Sequence, residues 1–318
     1  MPKKKGKARE IEEVRRRYRR QLALLAVIAF MVVLAAAIYL TYFSGSGQTW
    51  KLDSAGLLAF GPRAPSDGTA TPVESGANYT LEKVRYGSLG SDVYALLRIP
   101  KNVSRPPVVI VLPAASINKE ADADMAKALC SWGYATLTLD ERGNNGETAG
   151  TSPMDLNAGY QAFKNNGDPA QYVQVYDVLR GFDYLLTRGD LDTGSIGVLG
   201  ESMGCRFAII AAAEEPRLKA VDLVSAGPYG ASGGGNANIE QFIHSIEPAS
   251  YLPLQKPRPI AFFHFTDDPV IPISMGRQLY DAASQPKAWH EYNGTVHGLY
   301  SDIYADDLHR ELSSAFGR

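Results

Sequence analysis

A serine hydroxyl set between glycines, Gly200-Glu201-Ser202-Met203-Gly204, is the feature of this chain with the most to offer chemically. The pattern gains weight from its setting. An apolar, β-rich run (IGVLG) leads into it and a helical run (CRFAIIAAA) follows it, as a nucleophile on a strand-to-helix turn requires. Small neighbours let the backbone pass close by in such a tight, strained turn. The turn lifts the Ser202 hydroxyl above the sheet edge. It also puts the Met203 N–H at a helix start, where a developing oxyanion can be held. The bland alternative is an ordinary Gly-rich turn. Serine is a poor nucleophile until a base takes its proton. That base belongs downstream, oriented by an acid lying between the two in sequence. Of the five histidines, His297 alone combines a flanking glycine with a loop position, in Gly294-Thr295-Val296-His297-Gly298. His264 and His290 fall inside strands and read as packed side chains, His309 lies in the terminal helix, and His244 sits between strands where it could line a pocket. Asp268 and its neighbour Asp267 both qualify as the acid, whereas Asp177 and Asp183 precede Ser202 and have the wrong order. The chemistry this trio can do is acyl transfer to water, with no metal or organic cofactor required.

The elements that must position these residues are legible in the hydrophobic pattern. Tyr79–Tyr86 and Asp92–Ile99 read as extended strands. Val108–Leu112 is wholly apolar, as for a strand buried on both faces. Strands Tyr134–Leu139, Ser195–Leu199, Ala220–Val224, Ile260–Phe265 and Ala288–Tyr292 alternate with helices Glu120–Trp132, Tyr172–Leu186, Cys205–Ala213, Ser274–Ala283 and Ser301–Phe316. That alternation predicts an α/β fold: a mostly parallel central sheet, helices on both faces, and the two early strands as an antiparallel edge. Ser202, Asp268 and His297 all map to carboxyl ends of strands, where such sheets carry their sites.

With these pieces in order, the chain from about residue 80 resembles the α/β-hydrolase superfamily, and most closely its dienelactone hydrolase and prolyl-oligopeptidase-like esterase and peptidase branch. The resemblance rests on Asp140-Glu141-Arg142-Gly143-Asn144-Asn145-Gly146-Glu147-Thr148, GESMG, DDPVIP and GTVHG, in that order. It implies an α/β-hydrolase fold and an acid immediately before a P-x-x-P-like stretch, which favours Asp268 over Asp267. It implies an oxyanion hole of two backbone N–H groups, one from Met203 and the other from the loop after Val108–Leu112, at Ala115. That loop departs from the pattern: Pro113-Ala114-Ala115-Ser116 stands where the family usually has His-Gly. Arg206 follows the nucleophile turn where a second glycine is common, and an outward, snorkelling side chain is expected there. Two inserts, Thr148–Pro169 with Tyr160, Phe163 and Asn165, and Tyr229–Leu252 with Phe242 and His244, are expected over the strand ends as pocket walls or solvated loops. A carboxylesterase is favoured over a peptidase, since residues 44–78 are too few for a propeller domain. A non-catalytic binding protein on the same fold is the rival class, and the intact Ser–Asp–His order argues against it. The substrate is expected to be a small molecule or a peptide.

The remainder of the chain suggests where this chemistry happens. Residues 22–43 (LALLAVIAFMVVLAAAIYLTYF) carry no charge and are long enough to span a bilayer as a helix. The run exceeds the 7–15-residue core of a cleaved signal. Residues 1–20 hold ten Lys+Arg against three Glu, so a net charge of −2 leaves −9 on everything after them. The positive-inside rule keeps residues 1–21 cytoplasmic and puts the catalytic domain outside, on a single-pass anchored protein. The acidic bulk repels phosphate backbones and argues against a nucleic-acid partner. Ser44-Gly45-Ser46-Gly47 reads as a joint and residues 44–78 as an exposed linker, leaving 79–318 as the catalytic domain. Cys130 and Cys205 are expected as buried free thiols.

Overall fold

The computed structural model describes Arg16, residues 21–22 and 25–34, and residues 49–318. Trp50–Arg318 forms one compact unit. Residues 25–34 are helical and exposed. Among the described residues no helix is long and apolar enough to cross a membrane. The remainder of the expected span (23–24 and 35–43) and nearly all of the 1–21 tail lie outside the described residues.

The strands are β1 (Trp50–Leu52), β2 (Leu58–Phe60), β3 (Thr69–Ser75), β4 (Tyr79–Ser88), β5 (Ser91–Pro100), β6 (Val108–Leu112), β7 (Ala135–Leu139), β8 (Ile196–Glu201), β9 (Val221–Val224), β10 (Ile260–Phe265) and β11 (Lys287–Tyr292). The helices are α1 (Ala123–Ser131), α2 (Leu156–Lys164), α3 (Ala170–Leu185), α4 (Met203–Glu214), α5 (Ala237–Ile246), α6 (Ile273–Ala282) and α7 (Asp302–Phe316). Among the described residues nine strands form one sheet in the order β11-β10-β9-β8-β6-β7-β5-β4-β3. From β11 to β7 every pairing is parallel, and β5, β4 and β3 continue antiparallel. The expected mixed sheet is therefore present.

Alternation along β6 shows why the strand is apolar throughout. Val108, Ile110 and Leu112 enter one core with Val175 and Phe182 of α3 and Phe207 of α4. Val109 and Val111 enter the other with Met125 and Leu129 of α1 and Leu308 of α7. Successive side chains point to opposite faces, so a strand covered twice has no position left for a polar residue.

The expected linker at 44–78 is corrected from residue 50 onward. β1 and β2 pair antiparallel, and Trp50, Leu57 and Leu58 are buried in the main core. The Trp50 indole N–H donates to Gly167 O (3.2 Å) and Asp168 Oδ1 (3.1 Å), and its ring stacks on Phe163. The Leu58 amide donates to the Tyr251 hydroxyl (2.8 Å), and Arg63 forks onto Asp183 of α3 (2.8 and 3.0 Å). The catalytic unit thus begins at Trp50, not at 79. Composition misleads here because three apolar side chains suffice to dock a Gly- and Pro-rich stretch. β3 adds an edge strand whose seven residues are all exposed. Its Pro72 and the register shift that follows blunt that edge.

Trp50→Ala is expected to cost about 3–5 kcal/mol of unfolding free energy, the range for losing a buried large aromatic. Urea denaturation of the 50–318 unit measures it. A loss below about 1 kcal/mol, the scale of an exposed substitution, would restore the linker reading.

Candidate active site

Ser202 joins β8 to α4 with φ +49° and ψ −107°. A side chain at this φ is strained, and the surroundings hold it there. The Ser202 amide donates to Val224 O of β9 (2.9 Å). The two motif glycines are required by close approach. A Cβ on Gly200 would sit 2.5 Å from the Cys205 amide nitrogen, and one on Gly204 would sit 2.1 Å from Leu112 O.

The expected partners converge on this turn. His297 Nε2 lies 2.8 Å from Ser202 Oγ, and His297 Nδ1 lies 2.9 Å from the Asp268 carboxylate. With Nδ1–H donating to the carboxylate, Nε2 is left as the acceptor for the serine proton. Asp268 is buried. Burial works to raise its carboxyl, but hydrogen bonds from His297, the Ile271 and Val270 amides and the Ser225 hydroxyl hold it below the ordinary range. The Val270 and Ile271 amides both donate to Oδ1 at 2.9 Å. Asp267, the alternative acid, is exposed and accepts from Thr266 Oγ1. Asp177 and Asp183 are occupied elsewhere, by Arg142 and Arg63.

Two backbone N–H groups are the expected oxyanion donors. Met203 is the first residue of α4, so its N–H has no carbonyl within the helix to bond. Ala115 lies in the loop after β6, and its N–H has no acceptor among the described residues. Asn144 braces that loop. Its Nδ2 donates to Ala114 O (3.0 Å) and Ile117 O (2.7 Å), while its Oδ1 accepts from the Ser116 amide (2.5 Å). Ser116 in this loop takes a left-handed conformation, at φ +68°.

Other expectations are redistributed. His264 is buried with Nε2 at 2.9 Å from Ile271 O, and burial holds it below its ordinary value. His290 bonds Glu311 (2.9 Å) and His309 stacks on Trp132. Arg206 does not snorkel outward. It is buried, donates to Gly227 O and Pro228 O (both 3.3 Å) and stacks on Tyr229. The loop carbonyls that α4 packs against draw it in. The inserts fold onto each other: Phe163 of α2 meets Phe242 of α5, which also contacts Tyr160. His244 bonds Ala55 O (3.1 Å) and Ser250, so it ties α5 to the β1–β2 turn. Both cysteines are free and buried.

Residues beyond the expected set complete the site. Ser225, fully buried at the end of β9, bonds Asp268 and accepts the Gly298 amide (3.1 Å). It therefore fixes the acid and the His297 loop together. Only its place one residue beyond a strand hinted at this. Beneath the nucleophile lie Glu201, Asp122 and Glu141, all buried. Both Glu201 carboxyl oxygens, Asp122 Oδ2 and Glu141 Oε1 lack a donor among the described residues. Burial, reinforced by neighbouring carboxyls, raises Glu201 and Glu141 well above their ordinary range and pushes Asp122 from 3.8 up to about 7. Two carboxyls can share a contact without a cation only if one keeps its proton.

A model of the dienelactone hydrolase family matches residues 93–310. The chain belongs to that family. This dienelactone hydrolase family member is 25% identical over 143 residues to the uncharacterized protein YcjY of Escherichia coli (strain K12), a stretch covering 44% of this chain and 41% of that one. The match thus spans about two fifths of that relative. Among solved structures the family member is similar to acetyl xylan esterase 1 from Thermoanaerobacterium sp. JW/SL YS485, with TM-score 0.68 and 14% identity, over 80% of this chain and 89% of that one. It is similar also to an acetyl xylan esterase from Paenibacillus sp. R4, with TM-score 0.68 and 18% identity, over 79% and 89% of the two chains. These likenesses establish the α/β-hydrolase fold.

The buried carboxyls make stability depend on pH in a definite direction. Their folded-state values lie above the unfolded ones, so the folded state holds the extra protons. Stability therefore falls as pH climbs from about 4 through about 7. Glu201→Gln keeps the shape and supplies a donor to Asp122, so its melting temperature should gain on wild type as pH rises from 5 to 8. A difference that stays constant over that interval would show that Glu201 carries no proton linkage.

Proposed function

We propose that the protein is a serine esterase that hydrolyses a carboxylic ester of a small molecule through an acyl-enzyme. The observation that carries this reading is the Ser202–His297–Asp268 line, closed at 2.8 and 2.9 Å. Ser202 Oγ attacks the ester carbonyl as His297 Nε2 takes its proton. The imidazolium then returns that proton to the departing alcohol, and the acyl group is left on Ser202. A water deprotonated by His297 attacks next, and as the acid leaves the imidazolium returns that proton to Ser202 Oγ. Asp268 stays ionised throughout and holds the imidazole in the tautomer that accepts at Nε2. The Met203 and Ala115 amides receive the oxyanion, a contribution of roughly 3 kcal/mol per donor.

We also propose that residues 22–43 anchor the enzyme in a membrane, with the catalytic unit outside the cytoplasm. An apolar and uncharged sequence behind a block of arginines supports this. So does the exposure of Leu25, Val27, Ile28 and residues 30–34 on the helical stretch, since apolar side chains left in the open need a nonaqueous neighbour.

Ser202→Ala should end fluorophosphonate labelling and lower turnover of a short p-nitrophenyl ester by roughly 10⁴-fold or more. Labelling retained in that variant would remove Ser202 as nucleophile, and turnover of peptide amides with esters untouched would move the assignment to a peptidase. For the anchor, protease added to intact cells should release the 50–318 unit. Protection until lysis would reverse the orientation.

A further inference from the structure

A buried cation without a counter-charge lies far from the candidate active site. Arg98 belongs to β5 and pairs in register with Thr136 of β7, whereas Ala95 pairs with Leu139 at the carboxyl end of β7. Arg98 thus lies toward the amino-terminal ends of the parallel strands, opposite the end that carries Ser202. Its side chain sits under α1 with 6% of its surface exposed. Nε and Nη1 are sealed from solvent and have no hydrogen-bond partner among the described residues. No carboxylate among those residues forms an ion pair with it, and the Tyr79 ring stacks against it, 4.1 Å from the guanidinium carbon.

Burying an arginine this deeply is costly unless something supplies the missing charge and acceptors. A void of about 10 Å³ beside Arg98, Thr136 and Thr138 has room for a single water. That water can bond a donor but brings no negative charge. On another side Arg98 borders a cavity of about 370 Å³, lined with it by Asn78, Tyr79, Asn102, Lys127 and Cys130. The lining is rich in donors. Arg98 brings to it an uncompensated charge and Nη2, the guanidinium nitrogen that is neither sealed nor partnered among the described residues, which suits a carboxylate or phosphate oxygen, and the asparagine amides and Lys127 stand around the same space. Lys127 already pairs with Asp124 (2.9 Å) at the surface, so Arg98 is the lining cation whose charge is unspent. The Tyr79 ring and the Cys130 side chain give the cavity an apolar wall. Cys130 lines the same cavity as Arg98, and burial pushes its thiol up while Arg98 opposes that rise.

We propose that this cavity is a second ligand site, distinct from the catalytic one, that takes the oxyanion of a small, partly apolar ligand on Arg98. The anion supplies the counter-charge the fold omits, and the apolar part of the ligand lies against Tyr79 and Cys130.

Cys130 makes occupancy measurable without any reference to catalysis. Alkylation of the intact protein by iodoacetamide would be followed at Cys130 by peptide mass spectrometry, with benzoate or inorganic phosphate titrated in against chloride at matched ionic strength. Saturable protection is expected, with alkylation slowed about tenfold at ten times the half-saturating concentration. Protection by benzoate alone assigns a carboxylate ligand, and protection by phosphate alone assigns a phosphorylated one. Arg98→Met should abolish the protection while short-ester hydrolysis continues. Equal protection in that variant, or none by either anion in the wild type, overturns the proposal. Should Arg98→Met fail to fold, the wild-type titration still decides, and Arg98→Lys should protect with a weakened midpoint.

Discussion

The backbone at Ser202 is held where a serine would not go by itself, and much of the molecule exists to keep it there. A φ of +49° is tolerable because the Ser202 amide is spoken for by Val224 O and because α4 crosses β6 closely enough to leave only hydrogen at Gly204. Both conditions come from the sheet. β8 must run between β6 and β9, parallel to each, for Leu112 and Val224 to stand on either side of the turn. The apolar continuity of those strands, and the two cores that cover them, are what fix that spacing. The strain is thus sustained by packing spread over two layers of helix.

The same parallel run positions the other groups. Ser202 follows β8, Ser225 follows β9, Asp268 follows β10 and His297 follows β11. These four strands are consecutive neighbours in the sheet. The proposed proton transfer from Ser202 to His297 therefore depends on the register of four adjacent strands, and Ser225 ties the middle of that row together. The oxyanion loop arrives from the other side, after β6, and is held by Asn144 from the turn beyond β7. The acids beneath the turn add a constraint of another kind. They cluster beside the strand that ends at Ser202, and burial together with their neighbouring carboxyls raises each of them.

Much of this was readable from residue order alone. The β6 and β10 limits match those inferred from the apolar runs, because a strand covered on both faces declares itself by composition. The serine, the histidine and the favoured acid lie in one line, since their types, order and loop positions are all constrained by the chemistry. What escaped was decided in three dimensions. Residues 50–75 look like linker because strand pairing and a docked tryptophan leave little trace in a Gly- and Pro-rich stretch. Arg206 turned inward because of free carbonyls at Gly227 and Pro228 that no spacing rule exposes. Asn144 and Ser225 act through the geometry of loops brought together by the sheet, and neither type nor spacing distinguishes them from the other asparagines and serines of the chain.

The sheet also divides the molecule into two unequal halves. Every group placed in the proton path or beside the oxyanion lies at residue 114 or later, in or beyond the parallel part. The hairpin, β3 and β4 lie outside the stretch that the family model matches, residues 93–310. A change in the exposed turns or edge of that antiparallel margin therefore touches none of the groups assigned to the chemistry. The fold separates the part of the protein free to adapt to its surroundings from the part committed to one reaction.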